Sequence, residues 1–462
     1  MRYVSTRGRA EVLDFAQAMM TGLARDGGLY LPQTIPSFSA KEIAAFEGLP
    51  YEDVALRVIT PFVGDSFSQD ELKGAIARAY AGFDHVARAP LVQLAPGHHL
   101  LELFHGPTIA FKDFAMQLIG QLFQLALAKS GNRITILGAT SGDTGSAAIE
   151  AFKGLPNVDV FIMYPHGRVS EVQRRQMTTP AELNVHALAV AGTFDDCQAR
   201  LKDLFNDHAF RDEVALAGVN SINWARVLAQ IVYYFTAAVS LGAPGREIDF
   251  TVPTGNFGDI FAGSIAKAMG LPIGRLVVAT NQNDILHRAL ATGEYRVGTV
   301  EPSISPSMDI QVSSNFERAL WLAYGRDGAA VSQLMDELKS GGFTISQGAL
   351  QALRETFDSG RVSEDETTAM IATIRAETGE VICPHTAVGV AIARQHLRPG
   401  VPMITLATAH PAKFPDAVQA AIGIRPALPP HMADLFQRPE RFTQVENDAE
   451  RLKSLILERR IA

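Results

Sequence analysis

Cysteine is almost absent from this sequence. Only Cys197 and Cys383 occur among its 462 residues, and they do not form a Cys-x-x-Cys pair. A secreted disulfide scaffold or a cysteine-based zinc site would need more cysteines, so we expect both thiols to be reduced. The histidines also lack the spacing of a His-Glu-x-x-His metal site, and no metal ion is predicted.

Long apolar runs and a surplus of basic residues are missing too. Residues 1–7 lack the apolar core of a signal peptide, and no uninterrupted apolar stretch approaches the ~18 residues that span a membrane. Asp and Glu (49) outnumber Lys and Arg (41), unlike the charge balance of a nucleic-acid-binding protein. With 47% hydrophobic residues, the composition is that of a globular protein with an ample core. We expect a cytoplasmic protein that acts on a small molecule, without nucleic-acid or membrane partners.

Short β-branched, apolar runs alternate with helical patterns from about residue 95 onward. Strands are predicted at 134–138, 158–163, 248–252, 276–279 and 403–407, with helices that include 224–239, 259–269 and, near the end, about 444–459. This alternation predicts an α/β fold with mainly parallel sheets. Residues 1 to about 90 form instead a mostly helical pattern with a Gly/Pro-marked turn at 26–32. Ligands of α/β folds bind at the carboxyl ends of strands, so the loops there are the candidates for chemistry.

The first such loop, at 251–259, reads Thr-Val-Pro-Thr-Gly-Asn-Phe-Gly-Asp. Gly255 and Gly258 allow a tight turn, and the backbone N–H groups at the following helix start form an anion site suited to a phosphate. Neither a nucleotide P-loop with Gly-Lys-Ser/Thr nor a dinucleotide fingerprint is present. The alternative is a purely structural strand-to-helix turn.

The second loop, at 139–146, reads Ala-Thr-Ser-Gly-Asp-Thr-Gly-Ser and also follows a predicted strand. Its hydroxyls and exposed N–H groups could bind a carboxylate or a phosphate. The alternative is a plain helix N-cap rich in Ser, Thr and Asp.

The third loop contains Lys112, flanked by Phe111 and Phe114 in an otherwise apolar stretch. An apolar pocket disfavours the ammonium and lowers the pKa of a lysine, and the neutral amine is a nucleophile that can form a Schiff base. The alternative is an ordinary lysine whose amine reaches the surface.

The three loops together provide what pyridoxal phosphate and an amino-acid substrate require: an amine nucleophile and two anion sites. Residues 102–115, 139–146, 253–259 and 408–414 resemble, in order and spacing, the motifs of threonine synthases, and residues 21–30 do so as well. The most specific are His-Gly-Pro-Thr at 105–108 and Thr-Ala-His-Pro-Ala-Lys-Phe at 408–414. The resemblance covers essentially the whole chain and is greatest to the longer, bacterial and fungal type.

The resemblance implies the second pyridoxal-phosphate fold type, with the cofactor between two α/β domains and an extra, mostly helical N-terminal domain. The expected division is 1–90 for the N-terminal domain, 91–130 plus 245–462 for the large cofactor-binding domain, and 131–244 for the smaller one. Monomers or weak homodimers are expected.

The resemblance also implies roles for individual residues. Cofactor binding is expected from Lys112 as the Schiff-base lysine, from Gly255, Asn256, Phe257 and Gly258 at the phosphate, from Thr408 at the pyridine nitrogen, and from Asp143 near the ring hydroxyl. The substrate carboxylate is expected at Thr140, Ser141, Gly142 and Thr144, and the leaving phosphate at Asn223, Arg226 and Lys413. His105 and His410 are candidates for proton transfer, and Asp113 is expected only to cap or orient the lysine segment.

The implied activity is that of a carbon–oxygen lyase of threonine biosynthesis, which converts O-phospho-L-homoserine and water to L-threonine and phosphate. Two alternatives share the fold: a threonine-synthase-like phospholyase, which would yield phosphate and 2-oxobutyrate, and a serine/threonine dehydratase. A non-catalytic binding protein is a third, against which the presence of Lys112 argues.

Overall fold

One mainly parallel and one fully parallel β-sheet dominate the computed structural model, which describes residues 1–461. The first part of the chain contains β1 (Tyr3–Ser5), α1 (Phe15–Thr21), β2 (Tyr30–Pro32), α2 (Ala40–Ala44), α3 (Tyr51–Val63), α4 (Gln69–Tyr80), β3 (Leu91–Ala95), β4 (His98–Glu102) and α5 (Lys112–Ser130). The middle contains β5 (Ile134–Ala139), α6 (Asp143–Phe152), β6 (Val158–Pro165), α7 (Glu171–Thr178), β7 (Val185–Val190), α8 (Phe194–Asn206), α9 (His208–Glu213), β8 (Leu216–Ala217) and α10 (Trp224–Ser240).

The remaining elements follow β9, the first strand after α10. They are β9 (Ile248–Pro253), α11 (Gly258–Ala268), β10 (Ile273–Thr280), α12 (Ile285–Thr292), β11 (Glu294–Arg296), α13 (Phe316–Ala323), α14 (Gly328–Leu338), β12 (Gly342–Thr344) and α15 (Gln347–Thr356). The chain ends with β13 (Phe357–Arg361), α16 (Glu364–Thr378), α17 (Pro384–His396), β14 (Met403–Ala407), α18 (Pro415–Ile422), β15 (Thr443–Val445) and α19 (Ala449–Arg459).

The larger sheet has six strands in the order β13-β10-β9-β14-β4-β3. All neighbouring strands are parallel except β3 and β4, which form an antiparallel hairpin at the edge. Every residue of β9 and β14 is buried, as expected for strands covered by helices on both faces. The predicted α/β class and mainly parallel pairing are confirmed, but the hairpin and β13 were not predicted.

The smaller sheet has five parallel strands in the order β15-β7-β6-β5-β8. Its last strand, β15, comes from the end of the chain, and α19 behind it buries Leu452, Leu455 and Ile456 against Leu204 of α8. The sequence predicts one helix over 444–459, and the family resemblance implies that these C-terminal residues belong with the larger sheet. The structure differs because Val445 and the apolar stripe of α19 are buried in the apolar cluster on the smaller sheet, and β15 pairs with β7.

The N-terminal residues pack directly on the α/β body. Helix α3 contacts α10, and Tyr3 and Phe62 lie with ring centroids 6.1 and 5.9 Å from Trp224 at the start of α10. The unit is mostly helical, as predicted, although residues 30–32 form β2 on β1. A capping box at Asp14 fixes the start of helix α1. The N-terminal unit therefore shares one apolar core with both sheets.

Helix α5 carries the predicted lysine at its first residue and crosses the core behind the site. It packs against α6 at Gly120, where an added Cβ would overlap the carbonyl oxygen of Ala151. Over residues 1–461, no helix combines the length and the apolar character needed to cross a bilayer.

We expect Gly120→Ala to destabilise the protein by about 1–3 kcal/mol, because the methyl group would force α5 and α6 apart. Gly348→Ala in α15 is the matched control, since nothing lies within 4 Å of its added Cβ. The control should leave stability unchanged or raise it by up to about 1 kcal/mol through helix propensity. Urea unfolding of both variants checks this, and equal midpoints would contradict the close packing of α5 on α6.

Candidate active site

A cleft of about 1330 Å³ lies where the carboxyl ends of β5, β9 and β14 meet. Each of the three predicted loops contributes to its lining, and so does Thr408 directly after β14. Residues 21–25 of the N-terminal unit also line it, which the sequence analysis did not anticipate. The large cleft therefore lies at the strand ends, where the site was predicted.

Lys112 lies at the inner wall of this cleft and is 8% exposed. Its Nζ donates to Asp143 Oδ2 at 3.2 Å and lies 4.7 Å from the centroid of the Phe111 ring. Burial lowers the pKa of Lys112, as the sequence predicted, although the Asp143 carboxylate opposes that shift. The amine is therefore accessible from the cleft, and its neutral form is favoured relative to a surface lysine.

Asp143 is the most highly connected side chain of the site. Its Oδ1 accepts from Lys413 Nζ at 3.0 Å and Gln173 Nε2 at 2.9 Å, and its Oδ2 accepts from Lys112 and, at 3.2 Å, from Ser307 Oγ. Burial disfavours its charge, but the ammonium groups of Lys413 and Lys112 hold the pKa of this carboxyl well below its usual range. Asp143 is therefore an ionised acceptor on the cleft wall.

The glycine loop after β9 has the properties of an anion site. In the structure of residues 1–461, the backbone N–H groups of Asn256, Phe257 and Gly258 donate to no protein acceptor, and they precede the first turn of α11. Phe257 has φ +62°, and a Cβ on Gly255 would lie 2.5 Å from the Ser307 carbonyl oxygen. The loop thus directs free N–H donors and the positive end of the helix dipole toward the cleft.

Asp259, the next residue of α11, was not singled out from the sequence. Tyr233 and Tyr234 hydroxyls donate to its Oδ1 at 2.5 and 3.1 Å, and burial raises its pKa to about 7. Because its charge is suppressed, this carboxyl repels an anion at the neighbouring N–H groups less than an ordinary aspartate would.

In the hydroxyl-rich loop after β5, one hydroxyl stabilises the loop itself and two others face the cleft. Thr140 Oγ1 accepts from the N–H groups of Gly142 and Gly145, both at 2.9 Å, so the Gly142 N–H predicted for substrate binding is already engaged. Gly142 has φ +136°, and an added Cβ would overlap Gln173. Ser141 and Thr144 line the cleft, and their hydroxyls make no hydrogen bond to the described part of the chain.

Two of the three residues predicted at the leaving phosphate do not reach the cleft. Asn223 is fully buried as the N-cap of α10, where its Oδ1 accepts from Ala225 N and its Nδ2 donates to Met19 O. Lys413 is also fully buried and donates to Asp143 and to Thr108 O. The polar groups of both side chains are already paired inside the protein, so a phosphate-binding role for them stays a prediction that this arrangement does not support.

Arg226 has the opposite character. It lines the cleft and is 4% exposed, yet its guanidinium bonds only Val219 O, at 3.4 Å, and its Nε has no partner among the described residues. Burial lowers its pKa to about 10, so it stays charged at neutral pH. A buried cation without a protein carboxylate is suited to an anionic ligand.

Neither histidine proposed for proton transfer lines the cleft. His105 bonds Asp84 and Glu102 at 2.7 and 2.8 Å, and His410 caps a short 3₁₀ turn by accepting from Ala412 N. Burial lowers the pKa of His410 to about 4. Asp113 accepts from the N–H and hydroxyl of Thr108, in agreement with the orienting role expected of it.

Several cleft residues were missed by sequence reasoning. Ser307 donates to Asp143 from the loop before α13, and His385, at the start of α17, accepts from Ser307 N at 3.3 Å. Arg7 and Arg25 enter from the N-terminal unit. Arg25 lies within the motif at residues 21–30, but no local motif marks Arg7, Ser307 or His385, which only the tertiary fold brings to the strand ends.

The polar groups that face the cleft match the functional groups of pyridoxal phosphate. The unpaired N–H groups of the glycine loop suit its phosphate, the accessible Lys112 amine suits its aldehyde, and the Thr408 hydroxyl suits the ring nitrogen. All three face one cleft, and the hydroxyl of Thr408 has no protein partner in residues 1–461.

Comparison with known proteins agrees with this assignment. The family profile for pyridoxal-phosphate-dependent enzymes matches residues 83–408, and those for the threonine synthase N terminus and C-terminal region match residues 2–80 and 386–456. A threonine synthase of Pseudomonas aeruginosa is 54% identical, with 99% of this chain and 98% of that one covered.

Solved structures are similar over the same length. The pyridoxal-phosphate-bound threonine synthase of Brucella melitensis has a TM-score of 0.98 at 55% identity, with both chains fully covered. The yeast threonine synthase has a TM-score of 0.93 at 39% identity, covering 99% of this chain and 98% of that one. Because both sequence and fold agree from end to end, this chain belongs to the threonine synthase family of pyridoxal-phosphate-dependent enzymes.

Proposed function

We propose that this protein converts O-phospho-L-homoserine and water to L-threonine and phosphate, with pyridoxal phosphate attached to Lys112. The observation that carries the proposal is the convergence, in one cleft, of the Lys112 amine, an unpaired glycine-loop anion site and an unpaired buried arginine. Two anion sites beside one amine suit a reaction in which both the cofactor and the substrate carry a phosphate.

The cofactor would be held by residues from three strand ends. Its phosphate would bind the N–H groups of residues 255–258, and Thr408 would hydrogen-bond the ring nitrogen. Asp143 would face the ring hydroxyl as an ionised acceptor. When bound, pyridoxal phosphate supplies the electron-withdrawing ring that stabilises negative charge next to the substrate nitrogen. Because Thr408 is neutral, it does not hold a protonated ring nitrogen as an aspartate would.

Lys112 Nζ is proposed as the base for the substrate carbons. The overall change requires removal of protons from the α- and β-carbons, loss of phosphate from the γ-carbon and return of a proton there. Hydroxide from water then adds at the β-carbon, and a proton returns to the α-carbon. Once the substrate amine has taken the place of Lys112, the Lys112 Nζ is an unprotonated amine in a buried position. Burial already lowers the pKa of Lys112.

The substrate's own anions would bind on either side of this amine. Its carboxylate would accept hydrogen bonds from the Ser141 and Thr144 hydroxyls and nearby free N–H groups, with Thr140 holding the loop in shape. Its phosphate would pair with Arg226, a buried guanidinium that has no carboxylate partner within residues 1–461 and bonds Val219 O there.

The larger-scale expectations are also part of the proposal. The domain division at 1–90, 91–130 plus 245–462, and 131–244 is kept with one change, since β15 and α19 extend the smaller domain. A cytoplasmic location is supported by two buried, unpaired cysteines, which are typical of a reducing compartment. The monomer or weak homodimer expected from the family would be distinguished by sedimentation.

Lys112→Ala should abolish the cofactor's protein-linked visible absorbance and reduce phosphate release from O-phosphohomoserine by at least about 10³-fold, since both the attachment point and the base are lost. Absorbance spectra and assays of phosphate and threonine check this. Lys129→Ala, an exposed lysine at the far end of the same helix, is the control and should behave as wild type.

The wild-type products decide between the related activities. Phosphate and threonine in equal amounts support the proposal, whereas phosphate with 2-oxobutyrate would make the protein a phospholyase. Release of 2-oxobutyrate from threonine, without turnover of O-phosphohomoserine, would make it a dehydratase.

Arg226→Met should raise KM for O-phosphohomoserine about 10- to 100-fold, because a charge-assisted hydrogen bond to the substrate phosphate is lost. It should not lower Tm, because the removed cation has no protein carboxylate to leave unpaired. Arg226→Lys keeps the charge, and its KM for O-phosphohomoserine should lie between those of the wild type and Arg226→Met. An unchanged KM in Arg226→Met, measured by steady-state kinetics, would place the substrate phosphate elsewhere.

A further inference from the structure

We infer that Lys413 is a positioning residue: its buried ammonium is the permanent counter-charge of Asp143, so that Lys112 can leave that carboxylate and react. The inference rests on the proposed role of Lys112 and extends it to a residue that lies outside the cleft.

The geometry is one carboxylate held between two ammonium groups. Lys413 Nζ lies 3.0 Å from Asp143 Oδ1, and Lys112 Nζ lies 3.2 Å from Oδ2. The two lysines are not equivalent, however. Lys413 has no exposed surface and bonds Thr108 O at 2.9 Å as its second partner, whereas Lys112 lines the cleft. Only Lys112 can meet a ligand in the cleft.

The remaining contacts keep Asp143 in place while Lys112 moves. Gln173 Nε2 donates to Oδ1 at 2.9 Å, and Ser307 Oγ donates to Oδ2 at 3.2 Å. When Lys112 gives up its positive charge, the buried carboxylate would lack a cation if Lys413 were absent, and an uncompensated buried charge is strongly disfavoured. Lys413 therefore allows Asp143 to stay ionised in both states of Lys112.

Lys413 acts on Lys112 as well as on Asp143. A neighbouring positive charge favours a neutral amine, which is the form that reacts. The titratable groups that reach Lys112 come from five other segments: Asp143 of α6, Arg226 of α10, Asp259 of α11, His385 of α17, and Lys413 before α18. Of these, Asp143 favours the ammonium, and Lys413 and Arg226 oppose it.

The test measures the protonation of Lys112 without the cofactor. Full-length protein freed of pyridoxal phosphate is pulsed with acetic anhydride between pH 7 and 11, and acetylation of Lys112 is quantified by peptide mass spectrometry. The midpoint of the pH profile should rise in the order Asp143→Asn, Asp143→Asn/Lys413→Met, wild type, Lys413→Met. Below the midpoint, each unit of rise reduces Lys112 labelling about tenfold. Lys413→Arg, which keeps the charge, should restore the wild-type profile.

A Lys413→Met midpoint equal to that of wild type would overturn the inference. If Lys413→Met fails to fold by circular dichroism, the comparison of Asp143→Asn with the double variant decides, because neither contains an unpaired carboxylate. Equal midpoints in that pair would also overturn it. The proposed function has a separate readout: if wild-type enzyme releases no threonine from O-phosphohomoserine, the function fails, whereas the labelling order still reports on Lys413.

Discussion

The geometry of the site depends on the buried carboxylate of Asp143. It begins α6, directly after a strand of the smaller sheet, and its partner Lys413 follows β14 of the larger sheet. Ser307, which also bonds it, belongs to the loop that closes over the glycine loop. One ionised side chain thus connects elements from both sheets with the Lys112 amine. Because each partner is a donor, the carboxylate must stay ionised for all of these contacts to persist.

The parallel sheets bring the site loops to one edge, and glycines allow these loops to pack closely against each other. Parallel strands deliver their loops to one edge, so β5, β9 and β14 bring three unrelated segments together. At that edge the chain leaves no room for side chains: Gly142 adopts φ +136° against Gln173, and Gly255 lies under the Ser307 carbonyl. A Cβ at either position would displace the loops that hold the amine and the anion donors.

The sequence predicted the parts of the fold in which local pattern and burial agree. The fully buried strands β6, β9 and β14 consist mainly of apolar residues, and all were predicted close to their observed bounds. The short edge strands β8, β13 and β15 were not, because runs of two to five residues are too short to carry a clear periodicity. The three site loops were recognisable because chemistry and conformation constrain the same few residues. Ser307 and His385 lie in ordinary contexts and become part of the site only through tertiary contacts.

Arg226 and Lys413 show why residue type alone could not assign the anion sites. Both are buried cations whose charge opposes the ammonium form of Lys112, and both were predicted at the leaving phosphate. Lys413 has its donors satisfied by Asp143 and Thr108, so it stabilises the protein's own charge. Arg226 has only a long bond to a carbonyl, and its burial is unfavourable until an anion is bound. A ligand phosphate therefore gains more at Arg226 than at an exposed cation, since binding also removes the penalty of the unpaired guanidinium.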